Sequence, residues 1–262
     1  MRIIFIGDIV GECGRKILRR QLNSLVRKER IDIIAVNVEN AAGGFGITVN
    51  IAEEFLDMGI HVMTSGNHIW DKKEIINYLN KQERLLRPAN YPEGVPGFGS
   101  TILNLKDGEK LGVLHLMGRI FMTPIDCPFR TAEREIEILK RETPNILVDF
   151  HAEATSEKVA MGLFLDGKVS AVIGTHTHVQ TADEQVLPEG TGYITDVGMT
   201  GPFHSVIGIK KEQAIKKFLT HTPKRFEMAK GVGILSGILI EIDPVRGHTT
   251  GIERIQIKDN FK

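Results

Sequence analysis

The chain is nearly devoid of cysteine, with only Cys13 and Cys127 in 262 residues. They lie far apart and form no C-x-x-C, so a disulfide framework is excluded. Two ordinary thiols fit a reducing compartment, and a cytoplasmic location is the expectation. A charge excess is also lacking, because 33 basic side chains balance 33 acidic ones. No global field therefore draws the chain to nucleic acid or to a membrane. No RNA-recognition motif is present either, so general nucleic-acid binding is not expected. Long apolar runs are missing: Met1-Arg2-Ile3-Ile4-Phe5-Ile6 is too short for a signal segment or a bilayer span, and no later segment spans a bilayer either. The glycine loop Gly43-Gly44-Phe45-Gly46 is not a P-loop, since no G-K-[ST] follows. No repeat, low-complexity tract or linker interrupts the chain, and a single domain over residues 1–262 is the simplest organisation.

What is present is a series of short apolar, β-branched runs separated by helical periodicity. Strands are predicted at Arg2–Ile6, Ile31–Val38 and Ile60–Thr64, with helices at Arg15–Lys28, Val49–Met58 and Lys72–Lys81. These opening units read as repeated βαβ, hence a largely parallel sheet covered by helices. Hairpins are predicted from Ser100–Leu105 with Leu111–Leu116, turning through Lys106-Asp107-Gly108-Glu109-Lys110, and from Glu184–Leu187 with Gly192–Thr195. Between them fall a helix at Thr131–Arg141, a strand at Asn145–Phe150, a helix at Ser156–Leu165 and a strand at Lys168–Ile173. A helix at Lys210–Leu219 and an antiparallel pair, Val232–Asp243 with Thr249–Ile257, close the chain.

The residues just past the strands carry the chemistry. Asp8 follows the first, Glu39 and Asn40 the second, and Asn67 and His68 the third. His151 follows the Asn145–Phe150 strand, and His176 and His178 follow Lys168–Ile173. Ligands of open α/β sheets gather at the carboxyl ends of the strands. On strand alternation, His176 and His178 face one point. Each residue has a plainer role open to it: Asp8 as a helix cap, the asparagines as turn formers, His151 as a satisfied core histidine. Glu39 is harder to place that way, because a buried unpaired carboxylate is costly. Together the seven donors form a sulfur-free oxygen and nitrogen set suited to iron, manganese, zinc or cobalt. That is more than one ion needs; two ions sharing a carboxylate would use them, the usual clamp for displacement at phosphorus.

Gly7-Asp8, Gly66-Asn67-His68, His151 and Gly174-Thr175-His176-Thr177-His178 resemble the motif series of the calcineurin-like binuclear metallophosphoesterases. Within that superfamily, Gly7-Asp8-Ile9-Val10-Gly11, Asn37-Val38-Glu39-Asn40-Ala41-Ala42-Gly43-Gly44 and Thr175-His176-Thr177-His178-Val179-Gln180-Thr181-Ala182-Asp183 resemble the YmdB-like branch of bacterial phosphodiesterases. Two departures from the wider superfamily, Val10 in place of a histidine and Glu39 in place of an aspartate, are shared by that branch. The resemblance implies an α/β/β/α sandwich of mixed sheets with helices outside. It implies two transition-metal ions, iron foremost. Asp8, Asn40 and His178 would hold one, Asn67, His151 and His176 the other, and Glu39 would bridge. It implies hydrolysis of small phosphodiesters, 2′,3′-cyclic nucleotides among them, by in-line attack of a metal-bridging hydroxide.

His68 resembles the superfamily's catalytic histidine and is the candidate proton donor, with Asp71 or Glu153 to orient it. Holding the substrate phosphate is its alternative role. Phe45, His115, Met117, Phe121, Phe129 and His204 are candidate base contacts, and Arg119 and Arg130 candidate phosphate contacts. Two other functions stay open: a phosphomonoesterase or protein phosphatase on the same centre, and a metal-holding regulatory or RNA-associated protein. A homo-oligomer is also compatible with the sequence.

Overall fold

The structure, a computed structural model, describes residues 1–105, 108–223 and 225–261. Its first sheet runs β10 (Gly201–Pro202), β11 (Gly233–Ile242), β1 (Arg2–Ile6), β2 (Ile33–Asn37), β3 (Val62–Thr64), with β12 (Thr249–Asp259) also on β11. The second runs β4 (Ser100–Asn104), β5 (Lys110–Met117), β6 (Ile146–His151), β7 (Ala171–Thr175), β9 (Gly192–Ile194), β8 (Gln185–Val186). β1, β2 and β3 are parallel, as are β5, β6, β7 and β9. The hairpins and β11 add antiparallel edges.

Strand alternation sorts the side chains into layers. Ile3 and Phe5 of β1 meet Val113, Leu147 and Ile173 of the other sheet in a core between the two. Ile4 and Ile6 point the other way, onto Ile17 and Leu22 of α1 (Gly11–Glu29) and Phe55 of α2 (Val49–Asp57). Val148, Phe150 and Val172 form a third core with Ile136 of α4 (Pro128–Leu139) and Met161 of α5 (Thr155–Phe164). Strands buried on both faces explain the near-continuous apolar runs, and the result is the expected α/β/β/α sandwich.

Several predicted boundaries move for physical reasons. Helix α1 begins at Gly11 rather than Arg15. Its first turn holds Gly14, where a Cβ would lie 2.2 Å from the Thr200 carbonyl oxygen, so packing rather than apolar periodicity sets the start. The predicted Lys72–Lys81 helix contracts to α3 (Ile75–Leu79), flanked by tight turns such as Ile75 N–H to the Lys72 carbonyl. Strand β7 reaches Thr175, two residues past the predicted end. The two-residue β10 has no pattern to read, α6 (Lys211–Thr220) lies as expected, and the Lys106-Asp107 turn falls outside the described residues. No described helix is long and apolar enough to cross a membrane.

Candidate metal centre

The carboxyl ends of the parallel strands of both sheets meet at one edge of the sandwich. Asp8, on the loop after β1, lies fully buried, its Oδ1 3.8 Å from His151 Nδ1 and 4.0 Å from His178 Nε2. It does not cap α1, whose N-cap is Val10 with no side-chain bond. Glu39, also buried, places Oε1 3.4 Å from His151 Nε2 and accepts the His68 backbone N–H at 2.8 Å. His176 Nδ1 lies 3.0 Å from His151 Nε2, and Asn40 Oδ1 lies 3.2 Å from His178 Nε2. Asn67 sits between Gly66 and His68. A Cβ on Gly66 would come within 2.3 Å of His151 Nε2 and 2.7 Å of the Glu39 carboxyl carbon.

Hydrogen bonding shows which atoms face inward as lone pairs. The Ile207 carbonyl can only accept, so His178 donates from Nδ1 to it at 2.9 Å and leaves Nε2 as a lone pair. Asn40 donates Nδ2–H to the Gly44 carbonyl, which turns its own oxygen toward that lone pair. The Thr175 hydroxyl donates to Asp149 Oδ1 at 2.8 Å, so it accepts from His151 Nδ1 at 2.9 Å, and His151 Nε2 also becomes a lone pair. Four buried side-chain oxygens have no hydrogen-bond partner among the described residues; three are Asp8 Oδ1, Glu39 Oε2 and Asn67 Oδ1. Acceptors converging on acceptors are what shared cations satisfy. Among the described residues no three His, Cys, Asp or Glu side chains already form a ligating group. Two of the expected ligands, Asn40 and Asn67, are amides.

Burial sets the protonation. It raises Asp8 to about 7, His178 opposing the rise, and lifts Glu39 well above the usual carboxylate range. It depresses His176 to about 4 and His151 well below 6.5, so both imidazoles are neutral at neutral pH. Below pH 7 the Asp8 carboxyl carries a proton that an incoming ion must expel. Metal affinity should therefore fall by about tenfold per pH unit as pH drops through 7, for each proton released. Calorimetric titration in buffers of different ionisation heat counts those protons; an affinity that is level from pH 8 to 5.5 would contradict this protonation scheme.

A family model described as YmdB-like protein matches residues 4–255. The chain belongs to the YmdB-like family. A Bacillus subtilis (strain 168) protein named 2′,3′-cyclic-nucleotide 2′-phosphodiesterase is 48% identical, over 99% of this chain and 98% of its own. The crystal structure of a novel phosphatase from Mycoplasma pneumoniae superposes with a TM-score of 0.93 at 36% identity, covering 99% of this chain and 94% of that one. The crystal structure of a hypothetical protein from Thermus thermophilus gives 0.92 at 40%, covering 99% and 100%.

In this YmdB-like chain the expected orienting pair separates. His68 Nδ1 bonds Asp71 Oδ2 at 2.8 Å, whereas Glu153 Oε2 meets His176 Nε2 at 3.0 Å. Glu39, Asn40, His68, His176, His178 and Phe45 line a cavity of about 230 Å³. Behind Met228 a larger one, of about 750 Å³, contains no candidate ligand. The other expected base and phosphate contacts do not line the cavity with Phe45. His115 is buried, held near pKa 3 by desolvation, with Nδ1 3.2 Å from the Asp149 carbonyl oxygen. Met117 is buried, Phe129 packs on Phe164, Phe121 is exposed, His204 leans on Phe203, and Arg130 pairs with Glu133. Arg119 donates its backbone N–H to Glu157.

The histidine pair is not aligned by strand alternation. Both residues lie beyond β7 in left-handed backbone, φ 94° at His176 and 65° at His178, as does Ile207 at 46°. Such a conformation costs each non-glycine residue roughly 1–2 kcal/mol, so something must hold the loop. Sequence reasoning missed the holder. Asp196, just past β9, accepts the Thr177 N–H (3.0 Å), the Thr177 hydroxyl (2.6 Å), the Gly198 N–H (2.7 Å) and the Lys158 ammonium (2.7 Å). Asp196 and Lys158 are both buried. Asp196 shares the one available signal, a carboxylate at a strand's carboxyl end; a buried lysine in mid-helix leaves none.

Proposed function

We propose that the chain is a metal-dependent hydrolase of small phosphoric diesters, 2′,3′-cyclic nucleotides foremost, with residues 1–262 acting as one domain. The convergence of unpartnered oxygens and imidazole lone pairs from both sheets supports the metal dependence. The Bacillus subtilis relative supports the diester. Asp8, Asn40 and His178 would hold one ion and Asn67, His151 and His176 the second, with Glu39 between them. Iron is our assignment, and manganese, zinc and cobalt suit the same donors. When bound, two such ions lower the pKa of water to give a nucleophile at neutral pH and neutralise phosphoryl charge.

The chain's own residues do the rest. The Ile207 carbonyl and the Thr175 hydroxyl fix the tautomers of His178 and His151. Asp71 accepts from Nδ1 of His68 and so orients the ring, which presents Nε2–H to the leaving oxygen. The His68 backbone bond to Glu39 ties this acid to the carboxylate that would lie between the ions. His68→Ala is expected to lower kcat by about 10²–10⁴-fold while bound metal stays at the wild-type level. Metal analysis beside bis- and mono-nitrophenyl phosphate turnover tests this. Loss of the metal would make His68 a ligand, and preferred turnover of the monoester would replace the diesterase reading.

A further inference from the structure

Two side chains at the mouth of the cavity serve no step described so far. Ile207 is β-branched yet lies in left-handed backbone, which lets its carbonyl reach His178. Asparagine or glycine would adopt that turn with less strain. Burial does not repay the isoleucine, which is 48% exposed. Phe45, 37% exposed, stands at the tip of the loop between Asn40 and Gly46. The loop is braced on both sides of it: a Cβ on Gly44 would meet Met228 Sδ at 2.5 Å, and one on Gly46 the His68 carbonyl oxygen at 2.8 Å. The Phe45 ring stands edge to face on His68, centroids 5.0 Å apart. Phe45 and Ile207 are the exposed large apolar side chains lining the cavity that holds His68, His176 and His178.

Size decides what meets them. At about 230 Å³ the cavity is smaller than the roughly 300–1,000 Å³ of pockets that engulf a small ligand. A nucleotide whose phosphate reaches the histidines leaves its base at the mouth. We propose that Phe45 and Ile207 form a clamp that grips the faces of the substrate's nucleobase. Neither side chain offers a donor or acceptor, so the grip reads the base's flat surface and not its hydrogen-bonding edge. Adenine and guanine are then held alike, and a diester lacking a base is disfavoured. The inference rests on the diesterase reading above.

Ile207→Asn tests it, because asparagine tolerates the left-handed turn and leaves the backbone carbonyl in place. Melting temperature and metal content should stay at wild-type values. Wild type should cleave 2′,3′-cyclic AMP with a kcat/KM about tenfold or more above that for glycerol 1,2-cyclic phosphate, stacking being worth on that order. In Ile207→Asn that ratio should fall, the Phe45 face alone remaining on the base. Phe45→Ala should act in the same direction, with an added kcat loss because the ring braces His68. Equal wild-type turnover of the two diesters, or a full ratio in Ile207→Asn, overturns the clamp and leaves the diesterase reading standing. Calorimetric binding of 3′-AMP against inorganic phosphate separates the two ideas. If neither diester is cleaved but Ile207→Asn weakens 3′-AMP alone about tenfold, the clamp stands and the diesterase reading falls. If 3′-AMP binds wild type and variant equally, the clamp falls.

Discussion

Gly66→Ala should empty the centre of metal while leaving the fold intact. A Cβ there would lie 2.3 Å from His151 Nε2, 2.4 Å from His151 Cδ2 and 2.7 Å from the Glu39 carboxyl carbon. One methyl group would thus occupy the space where ligands from the two sheets meet. Its neighbours cannot yield cheaply: His151 is tied through Thr175 to Asp149, and Glu39 Oε1 is tied to the His68 backbone. A misplacement of about 1 Å costs on the order of 10²-fold in rate, so kcat/KM should fall at least that far. Metal analysis, turnover and a melting curve on one preparation test this. Full metal occupancy in Gly66→Ala would show that the described packing is not that of the working centre.

Asp196→Asn carries the second large effect, and it reaches stability as well as function. The substitution leaves the buried Lys158 ammonium without its counterion and takes a carboxylate from the Thr177 and Gly198 donors. Breaking a buried ion pair by removing one partner costs about 3–5 kcal/mol. In a chain of this length that amounts to a melting temperature lower by roughly 6–20 °C. Because Thr177 sits between His176 and His178, metal affinity should fall about 10–100-fold, as it does when ligand-orienting groups are lost. Thr177→Val removes only the hydroxyl arm and separates the effects, with weaker metal binding at a stability cost near 1 kcal/mol. Wild-type melting and metal content in Asp196→Asn would remove this anchor from the account.

Much of this was legible in the chain itself. Runs such as Ile3-Ile4-Phe5-Ile6 and Ile146-Leu147-Val148 reveal strands because both faces are buried, and the parallel units then place ligand-type residues at one edge. The candidate donors stood out for the same reason, because a buried carboxylate or imidazole at such a strand end is costly without a partner. The tautomers, the choice between Asp71 and Glu153, and the loop's conformation were not readable. The loop depends on the segment after β9, whose backbone passes between the ends of β1 and β7. There Thr200 N–H donates to the Asp8 carbonyl, Val197 N–H to the Gly174 carbonyl and Met199 N–H to the His178 carbonyl. A Cβ on Gly7 would lie 1.8 Å from the Gly198 oxygen, and one on Gly174 1.7 Å from the Thr195 oxygen, so both motif glycines mark where this backbone passes. Such contacts join residues far apart in sequence and leave no periodic trace.

The division of donors between layers has a thermodynamic corollary. Asp8, Glu39, Asn40 and Asn67 belong to one sheet's loops, whereas His151, which ends β6 rather than following it, and His176 and His178 belong to the other sheet's side. An ion held by both acts as a rivet through the sandwich and binds only when the layers are docked. At a free concentration a thousandfold above Kd, one such rivet adds about 4.1 kcal/mol to the docked state. If the proposed ligand set holds, the persistence of this protein would be tied to metal supply. A chelator would loosen amides of β1 and β6 in hydrogen exchange well before it denatured the helices outside.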